Sequence, residues 1–214
     1  MNELLLIGRQ ETETLLFNIP PVEGGGSKTV MDVAGLRQFN ATGSAGVVGH
    51  AFGNQVLGME SAGGHFENLS DVDFAIGTKP FELKLDMYLW GYPSTEGAIF
   101  SQLSPSSGGG TFGLTMASVT NVKRLAFFFT FNGSLSSRQV VVADRDVPLL
   151  TPVNVRVKFD GKNITIFMDD VNVGTIAASR VHSEGLPVGI GGHFGTNSYN
   201  MNGMLKNITI TKFQ

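Results

Sequence analysis

The stretch from Val153 to Thr175, VNVRVKFDGKNITIFMDDVNVGT, constrains the fold more than any other part of the chain. Apolar and polar residues alternate along it, and the pairs Asp160-Gly161 and Asp169-Asp170 interrupt the alternation. Successive side chains of a β-strand point to opposite faces, so this alternation predicts strands with one buried and one solvated face. An Asp-Gly pair between such segments predicts a hairpin with a two-residue type I′ turn, which needs positive φ at both central residues. The stretch therefore predicts three consecutive antiparallel strands.

The segment from Phe81 to Trp90 shows the same alternation, with five inward and five outward positions. The 28 glycines favour many tight turns between short strands, and no 11-residue window carries helical periodicity without a glycine or a β-branched cluster. We therefore predict an all-β chain folded as an antiparallel β-sandwich of two sheets. Further strands are predicted at Thr14 to Ile19, Ala98 to Leu103, Phe112 to Met116, Leu125 to Phe131, Arg138 to Ala143, Leu186 to Ile190 and Met204 to Phe213.

The chain of 214 residues suits either one large β-domain or a domain with an arm. The glycine-rich stretch VEGGGSKT, from Val22 to Thr29, marks the one credible internal boundary. We predict that residues 1–30 either complete the sandwich with N-terminal strands or act as an anchoring arm. Residues 31–214 are predicted to form the sandwich itself.

Composition excludes several classes of protein. The chain has no cysteine, so it has neither a disulfide framework nor a thiolate metal site. Charged residues make up 15% of the chain and the net charge is −3, so nothing favours a nucleic-acid partner, which would need a basic patch. The N-terminus MNELLLIGRQ has an apolar run of four residues, too short for a signal peptide or a membrane span. We expect a protein made in a cytoplasm, without membrane insertion.

Several motifs along the chain match one known pattern. They are Phe52-Gly53, Lys79-Pro80-Phe81, Ala98 to Gln102, Asp160 to Gly174, and Gly203 to Ile210. Together they resemble the concanavalin A-like lectin/glucanase superfamily, in particular the laminin-G-like jelly rolls common in bacteriophage structural proteins. The resemblance covers roughly residues 50–214. It implies a jelly-roll sandwich that serves as a virion component, such as a tail, fibre, baseplate or capsid-surface accessory protein.

The resemblance also implies partners. We expect other virion proteins, further copies of the same chain in a homo-oligomer, and a host surface glycan that the particle adheres to. A free carbohydrate-binding lectin is the alternative, and a glycan hydrolase is the weakest hypothesis. Glycosidases need two carboxylates about 5 to 9.5 Å apart. Glu82 and Asp86 share one face of the long strand but lie four residues apart, about 13 Å, so we expect no enzyme.

Carbohydrate recognition would use aromatic side chains beside amides, because sugars combine an apolar ring face with hydroxyl edges. Aromatic residues cluster at the outward face and end of the long strand, and a second group with amides lies in the late glycine-rich loop. The candidates are Tyr88, Trp90, Tyr92, Asn197, Tyr199 and Asn200. The alternative is that Tyr88 and Trp90 are buried against a neighbouring subunit, since both residue types anchor protein interfaces.

Aspartates in adjacent loops are the candidate metal ligands, because Ca²⁺ binds several oxygens from such loops. They are Asp144, Asp146, Asp169 and Asp170. Arg145 opposes a concentration of negative charge there, and the alternative is that these are turn residues whose carboxylates accept backbone N–H groups. We expect no cofactor, with Ca²⁺ as the alternative. We interpret His193 as a surface or half-buried histidine, since no second histidine or cysteine falls at metal spacing.

Overall fold

The computed structural model describes residues 13–20, 27–50, 53–59, 64–104, 109–116, 123–193, 195 and 199–214. Within these ranges the chain forms two antiparallel sheets that pack face to face. The predicted all-β, two-sheet antiparallel sandwich is therefore confirmed. The described part contains no helix long and apolar enough to cross a membrane.

One sheet, here called sheet I, has eight strands. They are β1 (Glu13–Ile19), β4 (Gly46–His50), β5 (Gly53–Met59), β7 (Phe81–Leu89), β12 (Val153–Phe159), β13 (Asn163–Met168), β14 (Val171–Ala177) and β16 (Gly203–Phe213). Their order across the sheet is β14-β13-β12-β7-β16-β5-β4, and β1 also pairs with β16. The long strand β7 thus lies in the middle of sheet I, between β12 and β16.

The other sheet, sheet II, also has eight strands. They are β2 (Thr29–Asp32), β3 (Arg37–Ala41), β6 (Phe66–Val72), β8 (Gly97–Ser104), β9 (Gly109–Met116), β10 (Leu125–Thr130), β11 (Arg138–Val142) and β15 (Leu186–Ile190). Their order is β11-β10-β9-β8-β15-β6-β3-β2, and a single 3₁₀ turn, Leu135–Ser137, precedes β11.

The core lies between the sheets and contains many phenylalanine side chains. Phe81 of sheet I contacts Phe112 and Phe127 of sheet II, with ring centroids 5.8 and 6.4 Å apart. Phe17 of β1 packs edge-on against Phe39 and Phe100 at 5.5 and 5.4 Å. Aromatic pairs at such separations add stabilisation beyond the area they bury. The alternating inward positions of the sequence therefore form one continuous apolar layer.

Strand β1 shows how part of the N-terminal region joins the sandwich. It runs antiparallel to β16, with Glu13 opposite Phe213 and Ile19 opposite Ile208. Asp32, fully buried, accepts hydrogen bonds from the Asn18 backbone N–H and from Arg37, which links β1 to the β2–β3 hairpin. Residues 1–12 and 21–26 of the predicted N-terminal segment lie outside the described residues.

The double hairpin predicted from Val153 to Thr175 is present as β12, β13 and β14. Its first turn differs from the prediction of a type I′ turn at Asp160-Gly161. The Asp160 N–H donates to the Asn163 carbonyl at 3.1 Å, so Gly161 and Lys162 are the two central residues. Of these two, Gly161 has the positive φ, 91°, which is the pattern of a type II′ turn. The Asp160 carboxylate instead accepts the backbone N–H groups of Lys162 and Asn163.

Candidate functional site

The outer face of a sheet is the face that points away from the core, and on sheet I it is solvated. Along β7, Lys84 is exposed while Asp86 and Tyr88 are half-buried, and the residues between them are buried in the core. Trp90 follows directly after β7, and its backbone N–H donates to the Asn202 carbonyl at 3.0 Å. The central position of β7 therefore places a row of polar and aromatic side chains along the middle of this face.

An apolar cluster, here called the outer aromatic cluster, consists of Tyr88, Trp90 and Met204. Tyr88 lies directly opposite Met204 in the β7–β16 pair, and the two half-buried aromatic side chains pack against the fully buried Met204. The cluster is separate from the core between the sheets. Beside it, Gly58 of β5 lies opposite Met204, and its missing side chain leaves room for Val48. On the side of β5, the cluster therefore adjoins small apolar residues.

A second feature, here called the amide–carboxylate group, consists of Asp86, Asn154 and Asn207. Asp86 lies two residues before Tyr88 on β7. Asn154 Nδ2 donates to Asp86 Oδ1 at 2.8 Å, and Asn207 Nδ2 donates to Asp86 Oδ2 at 2.6 Å. Asn207 has a φ of 53° and lies where the register of β16 against β7 shifts. This bulge brings its amide to the carboxylate. Asp86 is thus held in place by one amide from each neighbouring strand.

The other end of β7 carries charged side chains. Glu82 lies 2.7 Å from Lys84 Nζ and 3.5 Å from Arg156 Nη1. Arg156 also reaches Asp170 Oδ1 at 3.2 Å, and its guanidinium group lies 4.2 Å from the centre of the Phe167 ring. The outer face of sheet I therefore changes from ion pairs, through the amide–carboxylate group, to the outer aromatic cluster.

Tyr92 does not belong to the outer aromatic cluster. Its side chain packs against the core, and its hydroxyl donates to the Val147 carbonyl at 2.8 Å. Burial, followed by the nearby Asp146 carboxylate, raises the pKa of the Tyr92 phenol. Tyr92 therefore attaches the segment before β12 to the end of β7, a role that its position in the sequence did not reveal.

The late-loop candidates lie beside sheet II. The Tyr199 carbonyl accepts the Ala98 N–H at 2.7 Å, and the buried Asn200 forms an isolated bridge with Ala98. Tyr199 is 42% exposed and has a φ of 65°, and its ring packs edge-on to His193 with centroids 5.3 Å apart. Asn197 lies outside the described residues. The predicted sugar-binding residues are thus divided between the two sheets.

His193 takes part in a buried polar cluster that the sequence did not indicate. Its Nδ1 lies 2.7 Å from Ser101 Oγ, and its Nε2 lies 3.6 Å from Glu96 Oε1. A serine, a histidine and a carboxylate in this order also occur in nucleophilic catalysis. Ser101 has no exposed surface, however, so a substrate cannot reach its hydroxyl in this conformation. The cluster fastens the loop after β15 to β8.

Two of the predicted metal-binding aspartates, Asp146 and Asp169, line one cavity of about 220 Å³ together with Arg145. Each already has a partner: Arg124 Nε lies 3.3 Å from Asp146 Oδ1, and the Asn154 N–H donates to Asp169 Oδ1 at 2.9 Å. The Asp146 carboxylate therefore takes part in an ion pair, and the Asp169 carboxylate accepts a hydrogen bond at the end of a hairpin.

The other two predicted ligands lie apart from this cavity lining. Asp170 pairs with Arg156 on the outer face of sheet I, and Asp144 is exposed while its backbone N–H donates to the Val173 carbonyl. Asp169 and Asp170 have φ values of 50° and 62°, the pattern of a type I′ turn. In the described ranges, no group of three or more histidine, aspartate or glutamate side chains is placed to hold a metal ion.

No family model and no curated protein matches the chain. Several solved structures do match it. Domain 4 of AbnA, a GH43 extracellular arabinanase from Geobacillus stearothermophilus in complex with arabinotriose, has a TM-score of 0.66 and 10% identity, covering 94% of this chain and 93% of that one. The binding domain of botulinum neurotoxin DC in complex with rat synaptotagmin II has a TM-score of 0.63 and 12% identity, covering 92% and 48%. Trypanosoma rangeli sialidase in complex with sialic acid has a TM-score of 0.58 and 12% identity, covering 92% and 30%.

The chain therefore spans nearly the whole of the arabinanase domain, about half of the neurotoxin binding domain and about a third of the sialidase. At identities of 10 to 12% these likenesses show the fold alone, a β-sandwich of two antiparallel sheets.

Proposed function

We propose that this protein is a non-enzymatic binding module that uses the outer face of sheet I to bind carbohydrate. The observation that carries the proposal is that the outer aromatic cluster adjoins the amide–carboxylate group on a solvated face. An aromatic ring can stack on the apolar face of a sugar while the neighbouring amides and carboxylate bond its hydroxyls. Fold neighbours solved with arabinotriose and with sialic acid support the same class of ligand.

The proposal of a binding module rather than a hydrolase rests on the two carboxylates of β7. Glycoside hydrolysis needs a proton donor and a second carboxylate that face one another across the scissile bond. Glu82 is engaged by Lys84 and Arg156, whereas Asp86 is engaged by two amides. The two side chains therefore have separate partners and are four residues apart on one strand.

A glycan array followed by calorimetry tests the proposal. Arabinotriose is a suitable first probe, and Trp90→Ala and Tyr88→Ala are each expected to weaken binding at least about tenfold, because each removes a stacking surface. Leu36→Ala is the matched control, since Leu36 is 82% exposed on the β2–β3 turn of sheet II. Absence of binding to every glycan, or equal binding by all variants, would refute the proposal.

The same cluster supports a second hypothesis, that this face joins copies of the chain in a homo-oligomer. Tyrosine and tryptophan are enriched at the energetic centres of protein interfaces, and here both lie over a buried methionine. Light scattering of the unmodified protein and of Trp90→Ala separates the two hypotheses. An oligomer that dissociates in Trp90→Ala, without glycan binding, would favour the interface.

We further propose that the chain acts in many copies on a bacteriophage particle as a tail, fibre, baseplate or capsid-surface component. The resemblance of its motifs to phage jelly rolls supports this role. Many linked copies would convert weak contacts with a host glycan into strong adhesion. Detection of the chain in purified particles tests the proposal, and a monomer that never associates with particles would refute it.

A further inference from the structure

We infer that the ligand of this face is an uncharged, linear oligosaccharide that lies along β7 from Trp90 to Asp86. The inference rests on the proposed carbohydrate-binding function. Trp90, Tyr88 and Asp86 occupy alternate positions of the chain, so their Cα atoms are spaced by about 6.6 Å and extend over about 13 Å. A single sugar ring cannot contact all three side chains, whereas a chain of two or more sugars can.

The hydrogen-bonding capacity of the amide–carboxylate group fits sugar hydroxyls. A carboxylate oxygen has two lone pairs, and each oxygen of Asp86 accepts one amide N–H from Asn154 or Asn207. Each oxygen can therefore accept one further hydrogen bond from a ligand hydroxyl. Each amide donates one N–H to Asp86 and has a second N–H and a carbonyl oxygen for the same ligand. The two amides also fix the carboxylate before a ligand arrives, which lowers the entropic cost of binding.

The row of side chains from Trp90 to Asp86 is here called the track, and the charges around it favour an uncharged ligand. Asp86 is the charged group next to Tyr88 on this face of β7, and it would repel a carboxylate or sulfate on a sugar stacked there. Lys84 and Arg156 are directed to Glu82 and so are engaged away from the outer aromatic cluster. Lys206 lies opposite Asp86 in the β7–β16 pair. It is the cation whose replacement distinguishes an uncharged from an anionic ligand.

Calorimetry of the unmodified full chain with a neutral oligosaccharide series, from one to six sugars, tests both parts of the inference. We expect affinity to rise at least about tenfold between one and three sugars and then to level off, because the track is filled. A carboxylated counterpart of the same backbone is expected to bind at least about tenfold more weakly. Asp86→Ala should lower affinity for the neutral glycan about tenfold or more, since it removes a charged acceptor. Lys206→Gln should change it less than about threefold.

The possible outcomes separate this inference from the proposed function. Carboxylated glycans could instead bind most tightly, with this binding lost in Trp90→Ala and in Lys206→Gln. That result would support carbohydrate binding but refute the inference that the ligand is uncharged. A monosaccharide that binds as tightly as a trisaccharide would overturn the linear track. If no glycan binds the unmodified protein, both the inference and the proposed function fail. The length series and Lys206→Gln keep the test decisive even if Asp86→Ala does not fold.

Discussion

The two outer faces of the sandwich differ although both belong to eight-stranded antiparallel sheets. On sheet I, β7 alternates between buried core residues and outward residues such as the exposed Lys84. On sheet II, every residue of β10 is buried, and the outward-facing Phe128 is only 3% exposed. The outer face of β10 therefore contributes to the stability of the fold, whereas the outer face of β7 is partly exposed to solvent.

The composition of β10 explains part of this difference. Its sequence LAFFFT is apolar on both faces, so Phe127 enters the core while Phe128 joins a separate outer cluster. The Arg138 guanidinium lies 3.7 Å from the centre of the Phe128 ring and covers it. The buried Thr130 hydroxyl donates to the Gly110 carbonyl at 2.8 Å. This hydroxyl is thus bonded within the protein rather than to water.

The largest effect on stability is expected at the buried outer face of β10 in sheet II. Phe128→Ala should lower the free energy of unfolding by about 3–5 kcal/mol, because it leaves a cavity beneath Arg138. Urea denaturation of the variant and of Tyr88→Ala measures the contrast. Tyr88→Ala, on the half-buried outer face of sheet I, should cost clearly less. Equal losses in the two variants would contradict the distinction between the faces.

A smaller effect is expected where the buried Ser101 hydroxyl contacts His193. Ser101→Ala should lower the free energy of unfolding by about 1–3 kcal/mol, because it removes the hydrogen bond to the buried His193. Thr165→Ala is the matched control on sheet I, where the Thr165 and Thr175 hydroxyls lie 3.1 Å apart in an exposed pair. An unchanged midpoint for Ser101→Ala would show that the cluster does not fasten the late loop to β8.

Acid is expected to lower the stability that one aspartate contributes on the side of each sheet. Hydrogen bonds from the Asn163 and Lys162 N–H groups lower the pKa of Asp160 on sheet I, below its ordinary value of 3.8. On the sheet II side, the Ser183 hydroxyl and the Ala75 N–H lower the pKa of Asp73. A pKa that is lower in the folded state gives stability that is present above the unfolded value and is lost as pH falls through the folded value.

Asp160→Ala should therefore cost less than about 1 kcal/mol at neutral pH, because solvent screens this exposed carboxylate, and the difference should shrink as pH falls below the ordinary value of 3.8. Denaturation of Asp160→Ala and Asp73→Ala between neutral and acid pH measures it. A difference that grows in acid would show that the sign is wrong.

The smallest effect is expected at the solvated end of sheet I. Lys84→Ala should change the free energy of unfolding by less than about 0.5 kcal/mol, because Lys84 is exposed and Glu82 keeps its contact with Arg156. Arg138→Ala on sheet II removes the group that covers Phe128, and it should cost more. Thermal denaturation ranks the two, and the reverse order would imply that the ion pairs of sheet I carry stability.

Long alternating segments allowed accurate prediction. The predicted strand from Phe81 to Trp90 corresponds to β7, Phe81–Leu89, and the first arm of the double hairpin corresponds to β12, Val153–Phe159. Between residues 30 and 66 the sequence showed short apolar pieces broken by glycines, whereas the structure has β2 to β5 there. Strands of four or five residues, such as β2, β3 and β4, contain too few alternations to be recognised, and the seven-residue β5 contains two glycines; pairing with neighbours stabilises all four.

The candidate site could be predicted in part. Alternation placed Tyr88 and Trp90 outward, but it could not show that Met204 lies opposite Tyr88. Tyr92 could not be separated from them by sequence, because its acceptor on Val147 lies 55 residues away. The sequence could likewise not join His193 to Ser101, which are separated by 92 residues.

The sequence by itself determined which side chains of each long strand share a face, since this depends on the pleat of the strand alone. It thereby determined the fold class and the outward direction of Tyr88, Trp90 and Asp86. Only the tertiary structure decided that amides 68 and 121 residues away hold the Asp86 carboxylate, and that the outer face of β10 in sheet II is buried. The reason is that neighbours across strands depend on strand order, register and bulges such as the one at Asn207, which arise from contacts distant in sequence.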